Sequence, residues 1–169
     1  MPLGYESTRC HLGKDGIVML DTVRTQKIRI IEQFFFRIST KDLDGLLALC
    51  TEDTQMSIPY QLPGFPDYID GADEVRQAWS ALDRYEPSTI AIVNVEPMLN
   101  PDAFLVEAKG HMIVAETGRP YRNDYLNIFR FRDGKIAEWT CYRDPMRQVA
   151  AFGAEKLATE ADSLAPMAS

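Results

Sequence analysis

The residues best suited to chemistry lie in the segment 121–132, which alternates like a β-strand. Successive side chains of a strand point to opposite faces, so every second residue shares a face. One face of this segment carries Tyr121, Asn123, Tyr125, Asn127, Phe129 and Phe131. Phenols and amides can orient a carbonyl group or stabilise an enolate oxygen. A face that mixes them with large rings predicts the wall of a ligand pocket.

A second strand follows directly, because Asp133-Gly134 is a strong turn signal between two β-prone runs. One face of this last strand carries Trp139, Cys141 and Arg143. The Arg143 guanidinium could hold a substrate carboxylate in its planar fork, or it could form an ordinary salt bridge with Asp53 or Asp144. Cys141 could act as a nucleophile or an acid–base group, or it could simply line the pocket as a small buried side chain.

Composition excludes several classes of function. The chain has 169 residues, a net charge of −7 and dispersed basic residues, so we expect no nucleic-acid partner. Two histidines and three scattered cysteines argue against a metal site or a disulfide framework. Signatures of phosphate-binding loops, dinucleotide sites and common hydrolases are missing, so we expect no cofactor. The sequence shows neither a secretory signal nor a membrane span, which predicts a cytoplasmic protein.

The order of predicted elements indicates an α+β fold. Helical spacing predicts helices over 22–38, from Asp42, and over 73–85, and a short strand over 54–60. Strands over about 89–98, 103–116, 121–132 and 135–143 then precede a terminal helix over 146–158. Because helices cluster first and antiparallel strands last, we expect a curved antiparallel or mixed sheet wrapped around N-terminal helices as a cone. The loop over 61–70, which carries Phe65 between prolines, is typical of a lid.

These elements predict one domain over 21–158. Residues 1–20 are expected to form an irregular arm, and residues 159–169 a flexible tail.

Several segments resemble the nuclear-transport-factor-2-like (SnoaL-like) superfamily of α+β cones. The resemblance rests on KDLDGLLALCTEDTQMSIP, GADEVRQAWSAL and FRFRDGKIAEWTCYRDP, and covers about residues 22–152. NVEPMLNPDAFLVEAKG, together with the segment from Tyr121, is most similar to the phenazine-biosynthesis A/B branch, with polyketide-cyclase-like proteins next.

The family's known catalytic residues are not conserved in this chain. The resemblance matches the ketosteroid isomerases' tyrosine and aspartate to Phe34 and Ile58. It matches the limonene-epoxide hydrolases' Arg-x-Asp pair to Lys109-Gly110-His111. The last-strand carboxylate of those hydrolases and of the phenazine enzymes falls on Cys141, and the phenazine enzymes' histidine falls on Ala78.

His111 is therefore the first candidate for an acid–base group. The family's register puts it on one strand face with Glu107 and Lys109, and an imidazole in a partly apolar pocket transfers protons near neutral pH. The alternative is that this face is simply solvated, since the opposite face of the strand is apolar. Cone folds often dimerise through the outer face of the sheet, so we expect a homodimer formed that way.

Two functions from different classes follow. The favoured one is a small cofactor-independent enzyme of specialised metabolism that moves protons next to a carbonyl, in cyclisation, condensation, isomerisation or dehydration of an apolar oxygenated molecule. The alternative is a non-catalytic protein on the same cone that binds a small molecule or stabilises a partner. In the enzyme, the expected catalytic residues are His111, Tyr60 and Cys141. The expected substrate-binding residues are Lys109, Asn123, Tyr125, Asn127, Trp139, Arg143, Phe65, Trp79 and Ile58.

Overall fold

Five helices and a six-stranded sheet make up the structure, a computed structural model that describes the backbone of residues 14–164 and the side chains of residues 22–164 except residue 87. The helices are α1 (Lys14–Ser39), α2 (Leu43–Leu47), α3 (Ala72–Trp79), α4 (Pro145–Phe152) and α5 (Ala154–Leu164), with a 3₁₀ turn over Ser80–Arg84. The strands are β1 (Cys50–Ser57), β2 (Tyr68–Asp70), β3 (Tyr85–Pro97), β4 (Ala103–Val114), β5 (Pro120–Arg132) and β6 (Lys135–Arg143).

The sheet is mixed, with the strand order β2-β1-β6-β5-β4-β3. All neighbours pair antiparallel except β1 and β6, which run parallel. The β5–β6 turn forms as predicted, because Asp133 and Gly134 both adopt positive φ, at 52° and 77°. β4 and β5 pair without a bulge, with Gly110 opposite Asn123 and His111 opposite Arg122. The predicted α+β cone, a curled mixed sheet around N-terminal helices, is confirmed.

α1 fills the inner side of the sheet because its apolar residues recur at helical spacing. Ile31, Phe34, Phe35 and Ile38 are all buried there. The Phe34 ring meets Phe129 at 5.1 Å and Trp139 at 5.0 Å between ring centroids, both edge to face. α2 begins where the Asp42 carboxylate accepts the Gly45 amide at 2.8 Å, a normal helix cap. Aromatic packing therefore fills the space between α1 and the inner face of β5 and β6.

Two C-terminal helices cover the other end of the inner face. Phe152 on α4 and Leu157 on α5 are buried against Met112, Val114 and Tyr121. Gly153, at φ 95°, separates the two helices. Arg84 ties α5 to the sheet, since its guanidinium binds Glu160 at 2.7 Å and Glu116 at 3.0 Å.

Element boundaries differ from the sequence prediction at both ends. α1 begins at Lys14, within the segment expected to be an irregular arm, and residues 1–13 of that arm lie outside the described residues. The predicted terminal helix is two helices, and helical structure continues to Leu164, through the first half of the expected tail. α5 is held against the sheet because Leu157 is buried in a second core cluster, which also contains Met112, Val114, Tyr121, Ala151 and Phe152. Across the described residues, no helix has the length and apolar character needed to cross a bilayer.

Candidate active site

The inner face of β5 carries the polar residues that the sequence singled out. Tyr121, Asn123 and Asn127 are buried, and Tyr125 is half-buried. Their inward position follows from the alternation of β5, which leaves Arg122, Asp124 and Leu126 on the outer face. The sequence therefore predicted correctly which side chains of β5 point inward.

The two asparagines are bonded to the protein itself. The Asn127 side-chain oxygen accepts the Trp139 indole N–H at 2.9 Å, and its amide nitrogen donates to the Val106 carbonyl at 3.4 Å. The Asn123 side chain donates to the Asp144 carbonyl at 2.9 Å and accepts the Asp144 amide at 3.2 Å. Asn123 also donates to the Tyr121 hydroxyl at 3.0 Å. In the structure these bonds fix Trp139, Tyr121 and the start of α4. The expected contact of both asparagines with substrate stays a prediction.

Five side chains converge next to these asparagines, and we call them the Arg143 cluster. The cluster consists of Tyr85, Tyr121, Tyr125, Cys141 and Arg143. The Tyr125 and Tyr121 hydroxyl oxygens are 3.5 Å apart. The Tyr85 ring stacks on Tyr121 with 5.5 Å between centroids, and Arg143 lies directly across from Tyr125 in the β5–β6 pairing. Tyr85 was not identified as a site residue from the sequence, because the helical spacing over 73–85 put it at the end of a predicted helix. In the structure it is the first residue of β3.

Arg143 brings a positive charge into this cluster without a carboxylate partner among the described residues. Its Nη2 donates to the Gln61 side-chain oxygen at 3.3 Å, and its buried Nε has no hydrogen-bond partner. Neither predicted salt bridge is formed, since Asp53 binds Arg132 and Asp144 binds Arg147. Burial acts to lower the pKa of Arg143, but the neighbouring Tyr121, Cys141 and Tyr125 outweigh it and raise the pKa, so the guanidinium stays charged.

Tyr85, Tyr125 and Cys141 of the cluster are neutral proton donors at neutral pH. Burial, with a further contribution from Tyr121, raises the pKa values of Tyr85 and Tyr125 well above the ordinary phenol range. Burial also raises the pKa of the Cys141 thiol to about 11, although the Arg143 charge acts in the opposite direction. A thiol of this kind is a weak nucleophile. The cluster can therefore donate hydrogen bonds and positive charge to an oxygen atom, but it holds no resident base.

His111 and Lys109 lie on the outer face of the sheet. Both are exposed, and Lys109 faces Asp124 with 4.0 Å between the charged atoms. His111 shares this face with Glu107, as expected, while the inner face of β4 is apolar. His111 thus lies outside the Arg143 cluster, and its predicted role as acid–base group would require a substrate on the outer face.

Tyr60 lies at the surface, with 63% of its surface exposed, and it lines an open cleft of about 520 Å³ together with Lys109, Tyr125 and Arg143. Its ring lies 5.8 Å from the ring of Tyr142, which lines the same cleft. Outer-face residues of the central strands line most of this cleft, including the exposed apolar side chains of Val93 and Leu126.

The predicted apolar wall residues take two positions. Trp79, Trp139 and Ile58 are buried in the main core, where the Trp79 indole N–H points to the Met56 sulfur at 3.2 Å. A void of about 10 Å³ beside Trp79 holds no more than a water molecule. Phe65 instead packs, half-buried, against the second core cluster under α4 and α5. A ligand would therefore meet Phe65 near the Arg143 cluster before it met the tryptophans.

The fold and the site together define a small α+β cone whose inner face presents phenols and one guanidinium. The chain belongs to the SnoaL-like domain family, whose model matches residues 31–139. Protein YesE of Bacillus subtilis is 27% identical over 136 residues, which cover 77% of this chain and 89% of that protein.

Two solved structures share the fold closely. A candidate isomerase from Bacillus subtilis superposes with a TM-score of 0.71 at 24% identity, covering 78% of this chain and 95% of its own. A phenazine biosynthesis-related protein from Pseudomonas aeruginosa gives a TM-score of 0.68 at 22% identity, covering 80% and 90%. The resemblance seen in the sequence is thus confirmed at the level of family and fold.

Proposed function

We propose that this chain is a small-molecule enzyme of the isomerase or cyclase kind, acting on an apolar oxygenated substrate with its own side chains. The observation that carries the proposal is the Arg143 cluster, in which two phenol hydroxyls lie 3.5 Å apart beside a charged guanidinium. Preorganised donors in a partly buried site stabilise the negative charge that develops on a carbonyl oxygen. Names of structural neighbours that refer to an isomerase and to phenazine biosynthesis are in keeping with such chemistry.

The cluster would act on the step that forms an enolate. A C–H bond next to the carbonyl breaks, its proton leaves to a base, and its electron pair moves onto the carbonyl oxygen. The Tyr125 and Tyr121 hydroxyls then hold that oxygen, with the positive charge of Arg143 beside them. If the substrate has a neighbouring double bond, the enolate is conjugated and return of the proton to its far carbon gives isomerisation. Attack of the enolate carbon on a second carbonyl of the same molecule instead closes a ring, and the alkoxide that forms takes the proton back from the base.

The base in this scheme comes from solution or from the substrate. Among the described residues no carboxylate is buried, and the cluster contains no imidazole. Glu107, Asp124 and Asp144 line the cleft beside Tyr125 and Arg143, but all three are exposed, and Asp124 and Asp144 bind Arg147. Cys141 stays a neutral thiol because burial raises its pKa to about 11. We therefore expect turnover to rise with the concentration of an added base such as imidazole at constant pH.

Exchange of carbon-bound hydrogen tests the proposal directly. With 2-tetralone in D₂O, proton NMR should show faster loss of the α-hydrogen signal with the protein than with buffer alone. Tyr125→Phe should slow the catalysed exchange about tenfold or more, as loss of one donor to an oxyanion does. His111→Ala should leave the rate unchanged. Exchange that matches buffer alone for every ketone that binds would overturn the enzyme proposal.

The second candidate is a non-catalytic binding protein on the same cone. The observation that favours it is the same lack of a carboxylate or imidazole in the Arg143 cluster among the described residues. Ligand affinity that depends on Arg143, without any turnover, is the result expected of this alternative.

The outer face of the sheet supports a homodimer as part of the proposal. Val93 is 55% exposed and Leu126 is 39% exposed, and both line the same cleft as Tyr60 and Tyr142. A second copy laid on this face would remove these apolar side chains from water.

A further inference from the structure

The guanidinium of Arg143 lacks a counter-charge, and this points to the kind of ligand that the Arg143 cluster takes. Its Nη2 donates a hydrogen bond to the neutral Gln61 amide oxygen, at 3.3 Å. Other arginines of the described chain, such as Arg84, Arg132 and Arg147, each bind a carboxylate. A half-buried charge without a partner is costly, and an anion that enters the site removes that cost.

The free edge of Arg143 has the shape of a carboxylate site. The Nε–H and one Nη2–H of a guanidinium lie side by side, at the spacing of two carboxylate oxygens. On Arg143 the Nε is buried and unpartnered, while Nη2 meets only the single oxygen of Gln61. One neutral oxygen thus occupies half of an edge that accepts two.

The rest of the cluster does not supply a negative charge. Burial raises the pKa values of Tyr85 and Tyr125, and it raises the pKa of the Cys141 thiol to about 11, so all three are neutral at physiological pH. The Tyr121 and Tyr125 hydroxyls lie 3.5 Å apart and can turn toward an incoming oxygen. An anion in this place must therefore arrive with the ligand.

Building on the proposed function, we propose that the substrate carries a carboxylate, which replaces Gln61 on the Nε–Nη2 edge of Arg143. The phenols of Tyr121 and Tyr125 then face the neighbouring carbonyl of the same molecule. Gln61 is suited to give way, because it lies half-exposed on the loop between β1 and β2 and its remaining hydrogen bonds are within that loop, to Leu62 and Pro66. The substrate class is a keto acid.

A matched pair of probes separates charge from shape. 2-Naphthoate and 2-naphthamide have the same ring system, and only the first carries a charge at pH 7.5. By calorimetry we expect the wild-type protein to bind the naphthoate at least about tenfold more tightly, in line with a charge-assisted pair. Arg143→Met should abolish the preference, whereas Arg122→Met, which makes the same charge change at an exposed outer-face position, should keep it.

A second variant tests the same edge without removing Arg143. Gln61→Glu places a carboxylate on the chain where the ligand's carboxylate would bind, and it changes a half-exposed loop residue, so folding should persist. We expect it to weaken naphthoate binding about tenfold or more while naphthamide binding is unchanged. Equal affinity of the wild-type protein for both probes, no binding of either, or an undiminished preference in Arg143→Met would each overturn the inference.

These outcomes are distinct from those of the enzyme proposal. If the protein catalyses exchange of the 2-tetralone hydrogen but shows no preference for naphthoate, the enzyme proposal stands and the proposal of a carboxylate on the substrate is rejected. A naphthoate preference that depends on Arg143, with no exchange, would keep the anion site and reject the enzyme.

Discussion

The Tyr125 ring lies against Gly110 so closely that a Cβ on Gly110 would come within 2.8 Å of the Tyr125 Cε2 and 3.1 Å of its hydroxyl oxygen. Glycine at this position of β4 is therefore what allows the phenol to lie across the strand toward Tyr121. The position of a polar group in the Arg143 cluster thus depends on a residue that has no side chain.

Gly110→Ala should displace Tyr125 and destabilise the protein by about 1–3 kcal/mol, the usual cost of overpacking. Urea unfolding of Gly110→Ala, Tyr125→Leu and the double variant would measure the coupling between the two positions. We expect the alanine to cost much less in the Tyr125→Leu background. Additive effects would show that the ring and the glycine are not in contact.

Asn127→Leu should lower the free energy of unfolding by about 1–3 kcal/mol, because it leaves the buried Trp139 indole N–H without an acceptor. Asn127 is 1% exposed, and leucine has the same branched arrangement of four side-chain heavy atoms, so the substitution leaves no cavity. Chemical denaturation, followed by tryptophan emission, measures the effect. The exposed Asn94 is the control, and Asn94→Leu should leave stability unchanged.

Stability should fall above pH 9 because the Cys141 thiol resists ionisation in the folded state. Burial raises its pKa from 9.0 to about 11. Below pH 9 the thiol is neutral in both states and its contribution is complete. Between pH 9 and about 11 only the unfolded chain ionises, so the free energy of unfolding drops, by about 2–3 kcal/mol in total for this thiol.

Cys141→Ala should flatten this part of the pH profile, and urea unfolding at pH 8, 9 and 10 would show it. Burial likewise raises the pKa of Cys50 to about 11. The free energy of unfolding of Cys141→Ala should therefore still fall somewhat with pH. A profile identical to that of the wild-type protein would contradict the assignment.

Leu157→Ala tests whether α5 belongs to the folded unit. The side chain is 4% exposed on the second core cluster, so its truncation should cost about 2–5 kcal/mol. Leu99, which is 99% exposed, provides the matched control, and Leu99→Ala should change nothing. Thermal unfolding of the two variants is sufficient to compare them. An unchanged melting temperature for Leu157→Ala would mean that α5 does not pack on the sheet in solution.

Leu126→Glu should dissociate the proposed homodimer, because it puts a charge among apolar side chains of the outer face. Light scattering coupled to gel filtration should report a monomer for Leu126→Glu. The control variant Leu99→Glu should remain a dimer. A wild-type protein that is monomeric at high micromolar concentration would remove the dimer from the proposal.

Local patterns were enough to predict the fold. The alternation of β5 and the Asp133-Gly134 turn set the register of the hairpin, and the spacing of Ile31, Phe34 and Ile38 defined the buried side of α1. Such features depend on neighbours within a few residues, so the sequence displays them directly.

The site depends on contacts between distant parts of the chain. Gln61 and Arg143 are 82 residues apart, and no local pattern indicates that they meet. Tyr85 joins the cluster only because the chain turns into β3 at that residue. Strand alternation predicted which residues of β4 share a face with His111. It could not show which face of β4 points into the cone, because that depends on where α1 packs.

The parallel pairing of β1 with β6 has a consequence for biosynthesis. Residues 50–57 are made early, yet one of their two neighbouring strands is β6, which ends at Arg143. Until the ribosome has released that strand, β1 has a free edge, and the apolar side of α1 lacks Phe129 and Trp139 as partners. Pairings of such long sequence separation form slowly. The chain is therefore most exposed to aggregation, and most in need of a chaperone, while its N-terminal half has been made and β6 has not.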